Sequence, residues 1–153
     1  MEFKRATDLI TAFSGIDSQN YESFFRVSET NKIVSIEIHA MGNENTNAQF
    51  SSKWEIWKQT NIFLKLVMAD GCEAVSGVIS YNTGDFSETC LLELKCILSE
   101  LYNLQTLDPI EVGILLKEIK PGLSDLSRSS IDIALWDLAA KRADLSLATM
   151  LGN

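Results

Sequence analysis

The clearest alternation of hydrophobic and polar residues in this chain begins at Lys32. Up to Met41, apolar positions alternate with polar ones. The apolar set is Val34, Ile36, Ile38 and Ala40, and the polar set is Ser35, Glu37 and His39. A period of two is typical of a half-buried antiparallel strand, so we predict a strand here with His39 on its polar side.

Two further strands are predicted after a polar stretch. Residues Gly42–Ser52 are rich in Asn and Ser and show no periodicity, which indicates a long loop. The apolar residues 61–68 predict a second strand, Asp70-Gly71 a turn, and residues 72–80 a third strand. Three consecutive strands joined in this way form an antiparallel meander.

Helical spacing follows the third strand. Asp85 and Glu88 have the form of a capping box, and leucines follow at helical spacing, namely Leu91, Leu94, Leu98 and Leu101. A second helix is predicted to start with Asp108 as N-cap and Pro109 at the first helical position, and to end at Pro121-Gly122. Its predicted buried side consists of Ile110, Ile114 and Leu115.

The third helix of this bundle, Ser129–Lys141, has apolar residues on nearly every side. One stripe is Ile131, Ala134, Leu135 and Leu138, and another is Ile133, Trp136 and Ala140. Such a helix is expected to be covered all round. Asp132 and Asp137 interrupt the apolar surface, and a carboxylate that loses water needs a partner. The basic residues four positions away are Arg128 for Asp132 and Lys141 for Asp137.

Residues 1–31 carry weaker patterns. One side of a short helix ending at Gly15 is formed by Ala6, Leu9, Ile10 and Phe13. A second apolar cluster consists of Tyr21, Phe24, Phe25 and Val27. This segment is either an arm that docks on the domain or a loose extension. Because strands come first and helices afterwards, we predict an α+β fold in which a three-stranded antiparallel meander is followed by a helical bundle on one side of the sheet.

Length and charge restrict the function classes. The 153 residues suffice for one domain with a core of useful size. The net charge is −8 and no cluster of Lys or Arg exists, which excludes nucleic acid as a partner. A double-stranded RNA-binding fold, which has a similar order of elements, is rejected for the same reason. No apolar run approaches the length of a membrane span, so no membrane partner is expected.

Cysteine and histidine usage gives no metal or catalytic site. The cysteines Cys72, Cys90 and Cys96 are odd in number and lack metal-type spacing, and the N-terminus lacks the apolar segment of a signal peptide. These features predict a reduced, cytoplasmic protein, with Cys90 and Cys96 as core residues. A lone strand histidine such as His39 is more often a surface residue than a catalytic one. No phosphate-binding loop or Ser/His/Asp set is found, so no catalytic residue is assigned to this chain.

The order of small, apolar and charged residues near the C-terminus is specific. Its positions are Ser129, Ser130, Ile131, Asp132, Ala134, Leu135, Asp137, Leu138, Ala140, Lys141, Ser146, Leu147, Met150, Leu151 and Gly152. This order resembles the motif that ends the N-terminal domain in the mandelate racemase and muconate lactonizing branch of the enolase superfamily. It departs from the motif only by small or apolar exchanges, at Ser127, Ala140 and Met150. The family's second hairpin is matched less completely, by Asp70-Gly71 and Gly77.

The resemblance implies a capping domain over residues 32–153, with residues 1–31 as an N-terminal extension outside it. Enzymes of this branch abstract a proton α to a carboxylate and stabilise the product with a divalent metal, usually Mg²⁺. Their catalytic residues lie on a (β/α) barrel that follows the capping domain, and such a barrel needs about 200 residues or more. We therefore expect the barrel to be absent from this chain, and the chain alone to be inactive and without a cofactor of its own.

Two loops of the family's capping domain, after the first and third strands, fold over the barrel mouth and contact the distal part of the substrate. The corresponding segments here are Met41–Lys53 and Tyr81–Phe86. Hydrogen-bonding groups suited to a hydroxylated acid would come from Tyr81, Asn82 and Thr83, and apolar contacts from Met41, Phe50 and Phe86. Excluding water strengthens the electrostatics of the site, and distal contacts decide which acid is accepted.

Two function hypotheses follow. In the first, the chain is the capping and substrate-specificity domain of a lyase or isomerase, its partners being the barrel and a carboxylate substrate. Racemisation, dehydration and cycloisomerisation all fit this hypothesis. In the second, it is a barrel-less module that uses its acidic helices to bind a protein partner or to form a homo-oligomer.

Overall fold

The computed structural model describes residues 5–14, 22–50, 55–81 and 84–152, and for residues 14, 22, 43–50, 55–58, 80–81 and 84–87 it describes only the backbone. Its order of elements confirms the α+β prediction. The strands are β1 (Ile33–Phe50), β2 (Glu55–Met68) and β3 (Glu73–Tyr81). The helices are α1 (Ala6–Ser14), α2 (Glu22–Phe25), α3 (Gly84–Cys96), α4 (Leu98–Tyr102), α5 (Pro109–Ile119), α6 (Asp125–Arg142) and α7 (Leu147–Met150).

The three strands form an antiparallel sheet in the order β1-β2-β3, so β2 is the central strand. The predicted turn between β2 and β3 is confirmed. Gly71 has a φ of +83°, a backbone conformation that glycine adopts without a steric cost. The side chain of Asp70 accepts a hydrogen bond from the N–H of Cys72 over 2.9 Å, which closes the turn.

The start of β1 contains a bulge that the sequence pattern did not reveal. Ile33 pairs with Met68 and Ser35 with Val67, so Val34 has no partner residue of its own in this register. The inward position belongs to Ile33, which is 5% exposed, whereas Val34 is 50% exposed. Our assignment of Val34 to the buried side was therefore wrong, because the extra residue reverses the alternation at that point.

The polar stretch predicted as a loop is largely a strand. β1 continues to Phe50, and β2 begins at Glu55 instead of residue 61. Beyond the last pairing of β3, residues 44–50 and 55–58 form a two-stranded extension with a register shift between Glu44 and Gln49, which we call the ribbon. The loop prediction was wrong because a two-stranded ladder satisfies the main-chain groups whatever the polarity of its side chains.

One face of the sheet is covered by helices and the other is open. The covered face carries Ile62, Leu64, Leu66 and Met68 of β2 together with Ala74, Ser76 and Val78 of β3, all of them buried. Helix α6 makes most of the helix-to-sheet contact, chiefly with β3. The main core consists of these residues and apolar side chains of α3 to α6, among them Leu94, Leu101, Leu116, Ile131, Leu135 and Leu138.

The first two helices after the sheet differ from prediction in detail. α3 begins at Gly84, so Asp85 lies in its first turn and not at the N-cap. The leucine-spaced helix is interrupted at Ile97, after which α4 follows. Cys90 is buried as predicted, but Cys96 is exposed, because it ends α3 on the solvent side.

Helix α5 begins as predicted but buries a different side. The Asp108 side chain accepts hydrogen bonds from the N–H groups of Ile110 and Glu111, and Pro109 occupies the first turn. The buried residues are Pro109, Val112 and Leu116, whereas Ile114 is 46% exposed. The apolar pattern of this helix is nearly continuous, so its period alone does not select the side that packs.

Residues 5–14 dock on the domain. Ala6 and Ile10 are fully buried in a second apolar cluster with Phe25, Trp136, Ala139, Ala140 and Met150. The main-chain N–H of Ala6 donates to Asp108 Oδ2 over 2.8 Å. Asp108 thus accepts hydrogen bonds from the first turns of both α1 and α5. Burial raises the pKa of the Asp108 carboxyl group, although these main-chain donors oppose the shift.

Candidate functional site

The antiparallel order brings the two segments proposed to contact substrate to the same end of the sheet. Gln59 of β2 lies opposite Asn43 of β1 on one side and opposite Tyr81 of β3 on the other. The β1–β2 connection and the end of β3 therefore leave the sheet in the same direction, since neighbouring antiparallel strands alternate in direction. We call this region, with the ribbon, the ribbon end.

The predicted site residues are distributed unevenly over the ribbon end. Met41 lies on the open face beside the ribbon and is 63% exposed. Tyr81 is the last residue of β3, and Phe86 lies in the first turns of α3. Phe50 pairs with Glu55 near the tip of the ribbon, four residues along β2 from Gln59, the partner of Asn43; at about 3.3 Å per residue this separation is about 13 Å. Asn82 and Thr83 lie outside the described residues.

The open face of the ribbon end also carries two amide side chains that the sequence analysis missed. Asn61 lies in the central strand between Met41 and Ile79. The Nε2 group of Gln59 donates to Oδ1 of Asn61 over 3.2 Å. The sequence did contain a signal for Asn61, because Asn is disfavoured in strands and yet this residue begins the mostly apolar segment 61–68.

The acid and base of the C-terminal motif attach α6 to the outer edge of the sheet. Lys141 Nζ lies 2.6 Å from Asp137 Oδ2, which confirms the predicted i,i+4 pair. Asp137 Oδ2 also accepts from the main-chain N–H of Val75 over 2.8 Å, and Lys141 donates to the carbonyl of Glu73 over 2.9 Å. Main-chain groups at the edge of β3 are thereby satisfied by α6 instead of being open to another strand.

The other predicted pair on α6 does not form. Arg128 Nη2 donates to the carbonyl oxygen of Pro121 over 2.8 Å. Asp132 is exposed at the surface of α6; the neighbouring protein atoms only partly desolvate its carboxyl group, which raises its pKa, and a hydrogen bond from Trp136 opposes the shift. The pairing of Arg128 with Asp132 was wrong because the chain before α6 offers the arginine a main-chain acceptor. Ile133 on the same side of α6 is 38% exposed, so the expected all-round cover is also incomplete.

Small residues of the motif allow α6 to approach β3 closely. Ser130 is fully buried, and its hydroxyl lies 3.0 Å from that of Ser76, which is 2% exposed. The pair satisfies two hydroxyl groups that would otherwise be buried without partners. Together with the contacts of Lys141 to Glu73, this places α6 antiparallel to β3, with the N-terminus of α6 toward the ribbon end.

Glu93 of α3 binds the N-terminus of α6. Its carboxylate accepts from the N–H of Ser124 over 3.1 Å, from the hydroxyl of Ser124 over 2.6 Å, and from the hydroxyl of buried Ser127. Burial raises the pKa of Glu93, but the hydrogen bonds from Ser124 and Ser127 together outweigh it and lower the pKa. The contact holds the start of α6 against α3 and explains why a serine at position 127 is accommodated.

His39 is a surface residue in this structure. It is exposed, as predicted, and its Nε2 atom lies 3.3 Å from Glu37 Oε2. Lys65 of the central strand lies 3.5 Å from Glu37 and 2.9 Å from Glu73. The hydrogen bond with His39, followed by the charge of Lys65, lowers the pKa of Glu37. These residues form a row of charges across the open face.

The described residues offer no magnesium site of their own, since no group of three His, Cys, Asp or Glu side chains among them could hold a metal ion. The three cysteines are free thiols. In the same described part of the chain, no helix combines the length and the apolar character needed to cross a membrane.

Comparisons with known proteins agree with this geometry. A family model, mandelate racemase / muconate lactonizing enzyme, N-terminal domain, matches residues 45–152. No curated protein sequence matches the chain. A solved structure of an enolase from alpha pretobacterium bal199 with bound Mg has a TM-score of 0.65 at 19% identity, and the match covers 80% of this chain and 34% of that one.

Two dehydratase structures are similar to the same degree. L-Talarate dehydratase from Polaromonas sp. JS666, complexed with Mg and L-glucarate, has a TM-score of 0.63 at 24% identity over 80% of this chain and 35% of its own. L-Talarate/galactarate dehydratase from Salmonella typhimurium LT2, liganded with Mg and L-lyxarohydroxamate, has a TM-score of 0.64 at 24% identity, and the match covers 76% of this chain and 32% of that one. The chain spans about a third of the length of these solved relatives, and identities at this level show a common fold.

Proposed function

Since this chain belongs to the mandelate racemase and muconate lactonizing enzyme family, whose N-terminal domain model matches residues 45–152, we propose that it is the capping domain of a metal-dependent lyase or isomerase. In this proposal the domain covers the mouth of a (β/α) barrel and helps to select the carboxylate substrate. Activity, substrate and barrel all belong to the proposal.

The observation that carries the proposal is the position of the ribbon end. Met41 and Tyr81 come from distant parts of the sequence, yet their strands end on the same side of the sheet, joined through Gln59 and Asn61. A surface built from two separate connections at one end of a rigid sheet is suited to covering a site on another domain. The interaction-module hypothesis has no comparable support.

The contribution of this chain to catalysis would be exclusion of water and contact with the distal part of the substrate. Residues 42–52 are mostly polar and include several amides, which match hydroxyl and carboxylate groups. Met41 would supply apolar contact, as would Phe50 and Phe86, while Tyr81, Asn82 and Thr83 would supply hydrogen bonds. The similarity to dehydratase structures that hold L-glucarate and L-lyxarohydroxamate supports a hydroxylated acid as substrate.

Mg²⁺, when bound, would stabilise the charge that develops when the α-proton is removed. The residues described in this chain do not fit such a site, so the proposal assigns the metal to the barrel. Asp137 and Lys141 then have a structural role, because both are engaged in holding α6 against β3.

The test uses the gene that encodes the chain. We expect the reading frame to continue beyond Asn153 into a barrel, and the complete product to exchange the α-proton of a hydroxy acid with solvent deuterium when Mg²⁺ is present. The 153-residue chain alone serves as the control and should show no exchange. A stop codon directly after Asn153, or exchange by the chain alone, would contradict the proposal.

A further inference from the structure

Asn61 lies in the middle of a β-sheet although Asn is a residue type that strands disfavour. It lies in β2, the central strand, and its open-face neighbours along that strand are Phe63, Lys65 and Val67. Asn is among the residues depleted in strands, because its short amide competes for main-chain hydrogen bonds. Positions that break a local rule in an otherwise consistent sheet are commonly functional.

Apart from the hydrogen bond with Gln59, the packing around Asn61 gives no structural reason for an amide. Its cross-strand neighbours on the same face are Met41 and Ile79, which are 63% and 44% exposed. A β-branched apolar residue would pack well between these two side chains, as cross-strand pairs generally do. The bond from Gln59 Nε2 to Asn61 Oδ1 uses one acceptor site of an amide that also carries two N–H donors.

Asn61 and Gln59 also lie between the segments assigned to substrate contact. Asn61 is in register with Met41, and Gln59 is in register with Tyr81. Resting on the proposed function, we propose that Asn61, oriented by Gln59, is a specificity-determining residue that binds a hydroxyl group at the distal end of the substrate. Gln59 holds the carbonyl of Asn61, so the amide N–H groups of Asn61 are directed away from Gln59.

The experiment measures stability and specificity of the same variant, Asn61→Val, in the complete enzyme. Valine is favoured in strands, so we expect Tm to rise, by about 1–2 °C in an enzyme that also contains the barrel. For acids with a distal hydroxyl, kcat/KM should fall roughly tenfold, mainly through KM, because a hydrogen bond to the substrate is lost. Acids without that hydroxyl should be converted as before.

The matched control is Ser35→Val, which also replaces a polar residue by valine on the open face. Ser35 pairs with Val67, at the end of the sheet opposite to the ribbon. It should raise Tm without changing the ratio of kcat/KM between the two classes of acid. A lower Tm for Asn61→Val would show that Asn61 is structural, and an equal loss for both classes of acid would overturn its role in specificity. If the unsubstituted enzyme exchanges no α-proton, the proposed function fails, and the inference fails with it.

Discussion

The carboxylate of Asp137 in α6 accepts a hydrogen bond from the main-chain N–H of Val75 in β3 over 2.8 Å. The same oxygen lies 2.6 Å from Lys141 Nζ, which in turn donates to the carbonyl of Glu73. An i,i+4 pair on one helix thus satisfies the hydrogen-bonding capacity of two main-chain groups at the edge of the sheet. The acid and base of the C-terminal motif therefore help to fix helix α6 to the sheet.

Replacing Asp137 by Ala should destabilise the chain. The substitution removes both the ion pair and the acceptor for Val75, and we expect a loss of about 1–2 kcal/mol, reduced from the value of a buried charged hydrogen bond because the side chain is 29% exposed. Urea unfolding measures the change. Glu118→Ala, which removes an exposed acid from α5, is the control for net charge and should have little effect. A loss of unfolding free energy no larger than that of the control would contradict a role of Asp137 in fixing α6 to the sheet.

Stability should depend on pH through Glu93. Its pKa in the folded chain is lowered from the ordinary 4.5, so the ionised form contributes stability that is fully present above pH 4.5 and is lost as the pH falls through the folded value. Glu93→Gln lacks this contribution at every pH. The difference in urea midpoint between the unsubstituted chain and Glu93→Gln should therefore be largest at pH 7 and shrink below pH 4.5. A difference that does not change with pH would be inconsistent with the bonds from Ser124 and Ser127.

A side chain at position 77 should disturb the open face. A Cβ atom on Gly77 would lie 3.3 Å from Cε1 of Phe63, so the aromatic ring contacts one side of this exposed glycine. We expect Gly77→Val to cost about 1 kcal/mol, because displacement of the ring outweighs the strand preference of valine. In a Phe63→Ala background the same substitution should cost much less, and the double-mutant cycle in urea measures the coupling. Equal costs in both backgrounds would place the effect in the backbone and not in the contact with Phe63.

Gly152 should be needed for docking of α1. It has a φ of +93°, and an added Cβ atom would lie 2.3 Å from the carbonyl oxygen of Phe13. Gly152→Ala should therefore cost about 1–3 kcal/mol, since both the backbone conformation and the contact become strained. Hydrogen exchange of residues 6–14 should increase at the same time. The control is Gly122→Ala, because a Cβ atom there meets no atom within 4 Å. Unchanged exchange in α1 would show that Gly152 does not hold this helix.

Features that depend on neighbouring residues in the sequence were predicted well. The N-cap of α5 at Asp108 and the pairing of Asp137 with Lys141 both act within four residues, so spacing along the chain is enough to identify them. The apolar run of residues 61–68 likewise identified this segment as a strand, which lies within β2. The C-terminal motif placed the chain in its family because it combines several such local requirements in one helix.

Features that depend on the path of a loop or on a partner distant in the sequence were not predicted. Arg128 binds the carbonyl of Pro121 instead of Asp132, and the second interaction of Asp108, with Ala6, joins residues 102 positions apart. The role proposed for Asn61 depends on the register with Met41 and Ile79, which no pattern within one strand contains.

The sequence by itself determined the type and order of the three strands and of the helices α1, α3, α5 and α6, because periodicity, caps and turns are properties of short segments. Only the tertiary structure decided that β1 carries a bulge at Val34, that the stretch after Met41 pairs as a ribbon, and that α5 buries Val112 and Leu116. In each of these cases several local arrangements have similar free energies. Packing against the rest of the domain, or pairing with another strand, selects one of them.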